Sequence, residues 1–121
     1  MLDVISGSME GDLIFANFVE FDTLYGHKRD VAGYAKALEN FDKKLPKLFS
    51  ILDEEDLLII TADHGNDPTF HGSDHTREQV PVLIRSKNFS NKNYGLVKFS
   101  DIGATMSNFL GVEPINGKAI R

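Results

Sequence analysis

A chain of 121 residues with 41% apolar content has the size of one domain. Its 13 Lys and Arg stand against 18 Asp and Glu, a formal charge of −5 with no basic run, so nucleic acid is not an expected partner and an anionic substrate needs a bound cation. Without cysteine there are no disulfides and no thiolate ligands, and any metal must be held by oxygen and nitrogen.

The opening "MLDVISGSMEGD" lacks the basic flank and the apolar stretch of about 7–15 residues that mark a secretory leader. No apolar run approaches the roughly 18 residues that span a bilayer. A cytoplasmic location with no membrane partner is therefore expected.

"DLIFANFVEFD", residues 12–22, is dense in Phe, Ile, Leu and Val and reads as a buried strand whose functional end is Asp22. "TLYGHKRD" reads as a loop carrying His27. From Asp30, a plausible N-cap, apolar residues at Val31, Tyr34, Ala35, Leu38, Phe41, Leu45, Leu48 and Phe49 follow helical spacing, with a kink or break at Pro46. "DEED" at 53–56 reads as a turn ahead of the next strand.

"DLLIITAD" is a short unbroken apolar run, the pattern of a strand buried on both faces of a parallel sheet, and it delivers Asp63 and His64 at its C-terminal end. That end is where open α/β sheets bind ligands. "QVPVLIRS" reads as a further strand with Pro81 near its start, and "NFSNKNYG" as a polar loop. "FSDIGATMSNFLGV" offers Ser100 as an N-cap and a short helix through Ile102, Met106, Phe109 and Leu110. The order implies an α/β layered domain, but three strands make a thin sheet.

Three of the four histidines fall in "TADHGNDPTFHGSDHTREQVP". Neighbours at a strand end point to opposite faces, so Asp63 and His64 converge on one ion only if the chain turns at Gly65. His75 can fold back over the same strand ends, and Asp22 and His27 occupy an equivalent place after the first strand. Two Asp and three His without thiolate suit Mn²⁺, Zn²⁺ or Fe²⁺, and five ligands exceed what one catalytic zinc takes, so two metals are the economical reading. An isolated Asp-His pair at a strand end is an ordinary turn and cap; it is the convergence of five such residues that favours a metal centre. His71 reads as an exposed loop residue. Thr76 and Arg77 offer either an anion site or, for Arg77, pairing with Asp74 or Glu78 or the locking of a carboxylate behind the ligands; Lys28 and Arg29 invite the same two readings, with plain surface charge favoured.

"TADHGNDPT", "GSDHTREQVPVL" and "NFVEFDTLYGHKRDVAGYAKALENFD" resemble the C-terminal part of the phosphopentomutases, a family of the alkaline phosphatase superfamily, over about residues 12–117. The related cofactor-independent phosphoglycerate mutases share "TADHGN", but their Asp and His are separated by one residue fewer than Asp22 and His27, and they lack the "DHTRE" run.

The resemblance implies an isomerase that uses two Mn²⁺ to interconvert ribose or deoxyribose 1-phosphate and 5-phosphate through a phosphorylated threonine. Carried over by position, Asp63 and His64 would bind the metal nearer that threonine, and Asp22, His27 and His75 the other. It also implies part of a three-layer α/β/α sandwich with a mostly parallel sheet, residues 1–121 being a single partial domain whose preceding segment and cap domain lie elsewhere. None of Thr23, Thr61, Thr69, Thr76 and Thr105 sits in the family's nucleophile context, so no catalytic residue and no substrate-binding residue is assigned. About one Mn²⁺ is expected for this chain alone, together with inactivity and either self-association or pairing with the complementary part. A non-catalytic metal-binding fragment and another phosphatase or mutase of the superfamily stay open at this point.

Overall fold

The computed structural model describes residues 1–121. In chain order the elements are helix α1 (Leu2–Ser6), a π-helical turn (Phe21–Gly26), α2 (Val31–Asp42), α3 (Leu45–Phe49), strands β1 (Leu58–Thr61) and β2 (Val82–Arg85), and α4 (Phe99–Phe109). The class is α/β. The sheet is a single antiparallel pair, β1 beside β2, where a mostly parallel sheet was expected, and β1 is only partly buried.

Residues 12–22 do not form the expected strand. Positions 12–19 carry no ladder and are exposed, including Leu13, Ile14, Phe15, Phe18 and Val19. The pattern suits a strand, but backbone N–H and C=O groups form a ladder only against a neighbour, and no described strand lies there to pair with. The expected loop after Asp22 is also partly helical, because the π turn begins one residue before it.

The chain divides into two compact units, residues 1–52 with 60–83 and residues 53–59 with 84–121. In the first, an aromatic cluster fixes the π turn against α2: Phe21 meets Tyr34 and Phe41 edge-on at centroid separations of 5.9 and 6.2 Å, and Phe18 meets Phe41 at 5.3 Å. Helix α2 starts where its N-cap was expected, Asp30 Oδ1 accepting from the Gly33 N–H at 2.9 Å. It stops at Asp42, and Pro46 sits in the first turn of α3, where its missing N–H costs no hydrogen bond.

In the second unit "DEED" forms the expected turn, Asp53 N–H donating to Asp56 Oδ2 at 2.8 Å, while Glu55 pairs with Lys87. Helix α4 is capped at Lys98 rather than Ser100, which lies inside the helix. Asp101 explains the shift: its carboxylate accepts from the Lys98 N–H and, through the other oxygen, from the Lys118 N–H, both at 2.9 Å. Thr105 is buried with its hydroxyl satisfied, donating to the Asp101 carbonyl and accepting from the Ile120 N–H. No helix is long and apolar enough to cross a membrane.

The backbone N–H groups of Lys98 and Lys118 hold the Asp101 carboxyl below its ordinary range. A folded-state value lowered in this way adds stability above the unfolded value, and that contribution is lost as pH falls through the folded one. Asp101→Asn keeps one acceptor oxygen and Asp101→Ala keeps none, so thermal melts should rank wild type above D101N above D101A. The wild-type advantage over D101N is expected to shrink as pH drops below about 4; a gap independent of pH would contradict this role.

Candidate metal centre

The first unit gathers the predicted ligands around one carboxylate. Asp22 and His27 lie five residues apart, a spacing that would put them about 140° apart on an α-helix. The π turn closes over five residues instead, with the His27 N–H bonded to the Asp22 carbonyl at 2.9 Å and the Asp30 N–H to the Tyr25 carbonyl at 3.0 Å. Residues i and i+5 therefore stack on one face. His27 Nε2 reaches Asp22 Oδ2 at 3.2 Å.

The second strand end arrives through a narrow hairpin. Gly65 bridges antiparallel to Thr76, and a β-carbon at Gly65 would stand 2.9 Å from the Thr76 carbonyl oxygen and 2.8 Å from Glu78 Oε2. The turn expected of this glycine is thus a close approach of two backbones, which brings His64 beside His75 with ring centroids 3.9 Å apart. His75 Nε2 lies 3.4 Å from Asp22 Oδ1, and its ring is 4.7 Å from that of His27.

Ligand atoms of Asp22, His64 and His75 all fall within 4.8 Å of one another. His27 flanks this group through Asp22 Oδ2. Asp63 is the predicted residue that the fold does not draw in: its side chain is 80% exposed, and its nearest partner is His64 Nε2 at 3.8 Å. His71 stays in the exposed loop, stacked on Phe70. Thr76 accepts from the Asp67 N–H and donates to Glu78, so Glu78 is occupied by Thr76 while Arg77 is exposed.

The donor chemistry fits a cation. The Ser73 carbonyl can only accept, so the hydrogen bond it shares with His27 Nδ1 places the imidazole proton on that nitrogen. In the neutral ring the Nε2 lone pair then faces Asp22 Oδ2, and two acceptors in contact need a proton or a metal ion between them. Asp22 is suited to an anionic role. Burial pushes its carboxyl up, but the Asn66 amide at 2.5 Å and, in their protonated forms, the imidazoles of His27, His75 and His64 outweigh that and leave it below its ordinary value.

Sequence reading missed Asn66, which holds Asp22, and read Arg29 as surface charge or an anion site. Arg29 instead reaches five oxygens across three segments. The five-residue Asp-His spacing was the available signal for the π turn, since a spacing of four is the one an α-turn serves.

A family model for the Metalloenzyme superfamily matches residues 3–114, and the chain belongs to that superfamily. Within it, the chain is similar to phosphopentomutases: that of Sodalis glossinidius (strain morsitans) is 56% identical over 113 residues, covering 92% of this chain and 28% of the relative. That of Buchnera aphidicola subsp. Baizongia pistaciae is 51% identical over 93% of this chain, and that of Vibrio cholerae serotype O1 (strain ATCC 39541 / Classical Ogawa 395 / O395) 48% over 95%. The chain spans less than a third of the length of these curated relatives.

Gly26 is the packing point beneath Asp22: a β-carbon there would stand 2.5 Å from Asn66 Nδ2 and 3.2 Å from the Phe21 carbonyl. Gly26→Ala should push Asn66 off Asp22 and weaken divalent-cation binding at this cluster, probed with Mn²⁺, by about tenfold or more, as loss of an orienting partner does elsewhere. Equilibrium titration followed by the Mn²⁺ EPR signal measures this, and unchanged affinity would mean that the Asn66 contact does not matter to the site.

Proposed function

We propose that this chain supplies the larger share of the two-metal centre of a phosphopentomutase, an enzyme that interconverts ribose or deoxyribose 1-phosphate and 5-phosphate. The observation that carries the reading is the Asp22 carboxylate, in contact with His27 on one oxygen and His75 on the other, with His64 alongside, in a chain similar to phosphopentomutases over nine-tenths of its length. In that reading Asp22, His27 and His75 hold one metal, and Asp63 and His64 contribute to the second. The metals are Mn²⁺ in this assignment.

Two divalent cations, when bound, neutralise a phosphoryl group and stabilise the attacking and leaving oxygens. The chain's own residues supply the anchoring: Asp22 bridges donors from both halves of the unit, His27 presents Nε2 because Nδ1 is tied to Ser73, and the hairpin at Gly65 seats His64 against His75. The threonine that would carry the phosphoryl group and the residues that would bind the sugar belong, in this reading, to the part of the relatives that this chain does not match. The exposed apolar residues Leu13, Ile14, Phe15, Phe18 and Val19 support the same view, since an apolar strand pattern without neighbours is suited to completing a larger sheet or to self-association. The three-layer sandwich and a cytoplasmic location go with this proposal.

Asp22, His27 and His75 make a complete set of three protein ligands for one metal, whereas Asp63 and His64 lack a further ligand, so the chain is expected to bind about one Mn²⁺ tightly and a second weakly. Imidazole binds a metal only when neutral, and affinity should therefore fall from pH 8 to about pH 5.5. Two equal tight sites, or affinity flat across that range, would argue against the assignment. For the reaction, a chain extended to the length of its relatives should isomerise ribose 5-phosphate with Mn²⁺ without net phosphate release; release without isomerisation would make it a phosphatase.

A further inference from the structure

We propose that Arg29 is a positioning residue for the metal centre, fixing through one guanidinium both the tautomer of His27 and, by way of Asn66, the orientation of the Asp22 carboxylate. The inference rests on the metal-centre reading above and deepens it.

Arg29 is the chain's one non-glycine residue with positive φ, at 53°, a conformation that a side-chain-bearing residue rarely adopts. It is nevertheless half-buried, and its guanidinium is spread over the three segments that make the site. Nη1 reaches the Gly26 carbonyl at 3.1 Å, Asn66 Oδ1 at 2.6 Å and the Asp67 carbonyl at 2.9 Å. Nε donates to the Gly72 carbonyl and Nη2 to the Asp74 carbonyl. None of the five acceptors is a carboxylate, so this is not a surface ion pair. A rigid fork of several N–H groups is what such spread-out acceptors require, and an ammonium cannot span them.

Two consequences reach the ligands. First, Gly72 and Asp74 flank Ser73, the residue whose carbonyl accepts from His27 Nδ1. By gripping both neighbours, Arg29 holds that carbonyl in place, which keeps the proton on Nδ1 and leaves Nε2 free toward Asp22. The same loop delivers His75. Second, an amide donates from one end and accepts at the other. With Asn66 Oδ1 taken by Arg29, Nδ2 is turned toward Asp22 Oδ1, which leaves Oδ2 to His27.

The test uses the 121-residue chain and the variants Arg29→Ala, Arg29→Lys and Asn66→Ala, with two readouts. The first is the His27 tautomer in metal-free protein, from long-range ¹H–¹⁵N correlation spectra at pH 8 or above. Wild type should carry the proton on Nδ1; R29A should show a mixture of tautomers and faster amide exchange over residues 70–76; N66A should leave the tautomer as in wild type. The second is Mn²⁺ affinity, expected to fall about 10- to 100-fold in R29A and about tenfold in N66A, the range known for partners that orient metal ligands. R29K, which keeps the charge and loses the fork, should restore neither. Full rescue by R29K, an Nδ1 proton retained in R29A, or R29A affinity within twofold of wild type would each overturn the proposal. Should R29A not fold, R29K and N66A carry the same comparison. If wild type itself binds no Mn²⁺, the metal reading fails, while the tautomer measurement still decides the clamp on its own.

Discussion

The Asp22 carboxylate is the constraint on which the rest of the site depends. It is a partly buried carboxylate: burial pushes it toward the protonated form, while the Asn66 hydrogen bond and the positive charge of protonated imidazoles nearby favour the anion. Asn66 and His75 approach one oxygen and His27 the other, so three stretches of chain distant in sequence are held at one point. The aromatic packing of Phe21 on Tyr34 and Phe41 then has a functional meaning: it anchors the turn that aims this carboxylate.

The π turn is the local device that makes the arrangement possible. Inserted between the irregular segment 12–19 and α2, it brings i and i+5 onto one face at the cost of a wider, less favourable backbone ring. Such turns are uncommon enough that one ending next to two candidate ligands calls for a reason. Here the reason is geometric, since an α-helical winding would turn His27 away from Asp22. The close approach of Gly26 to Asn66 belongs to the same device, because a side chain at that position would occupy the space of the amide that steadies Asp22.

The candidate ligands were legible in the sequence because their signal is local. An apolar run that ends in Asp63 and His64, a second Asp-His pair, and His75 before another apolar run are all visible without any partner. What was not legible depends on distant partners. The segment 12–19 has every mark of a strand and forms none, since a ladder needs a neighbour that pattern cannot supply. Arg29 read as surface charge or an anion site because its acceptors lie as far as 45 positions away and are mostly backbone carbonyls, which leave no trace in residue type. Ser100 read as a cap until Asp101, one position on, took both the Lys98 and Lys118 amides.

Asp63 shows what a single unit can and cannot do by itself. It follows β1 directly, two positions after Thr61, yet its side chain faces solvent while that of its neighbour His64 turns into the cluster. The chain already bends at residues 63 and 64, past the last strand residue Thr61, and the bend carries His64 against His75 while leaving Asp63 outside. Four of the five predicted ligands therefore meet around Asp22 through contacts within the unit, whereas Asp63 has no acceptor or donor beyond His64 to turn it inward.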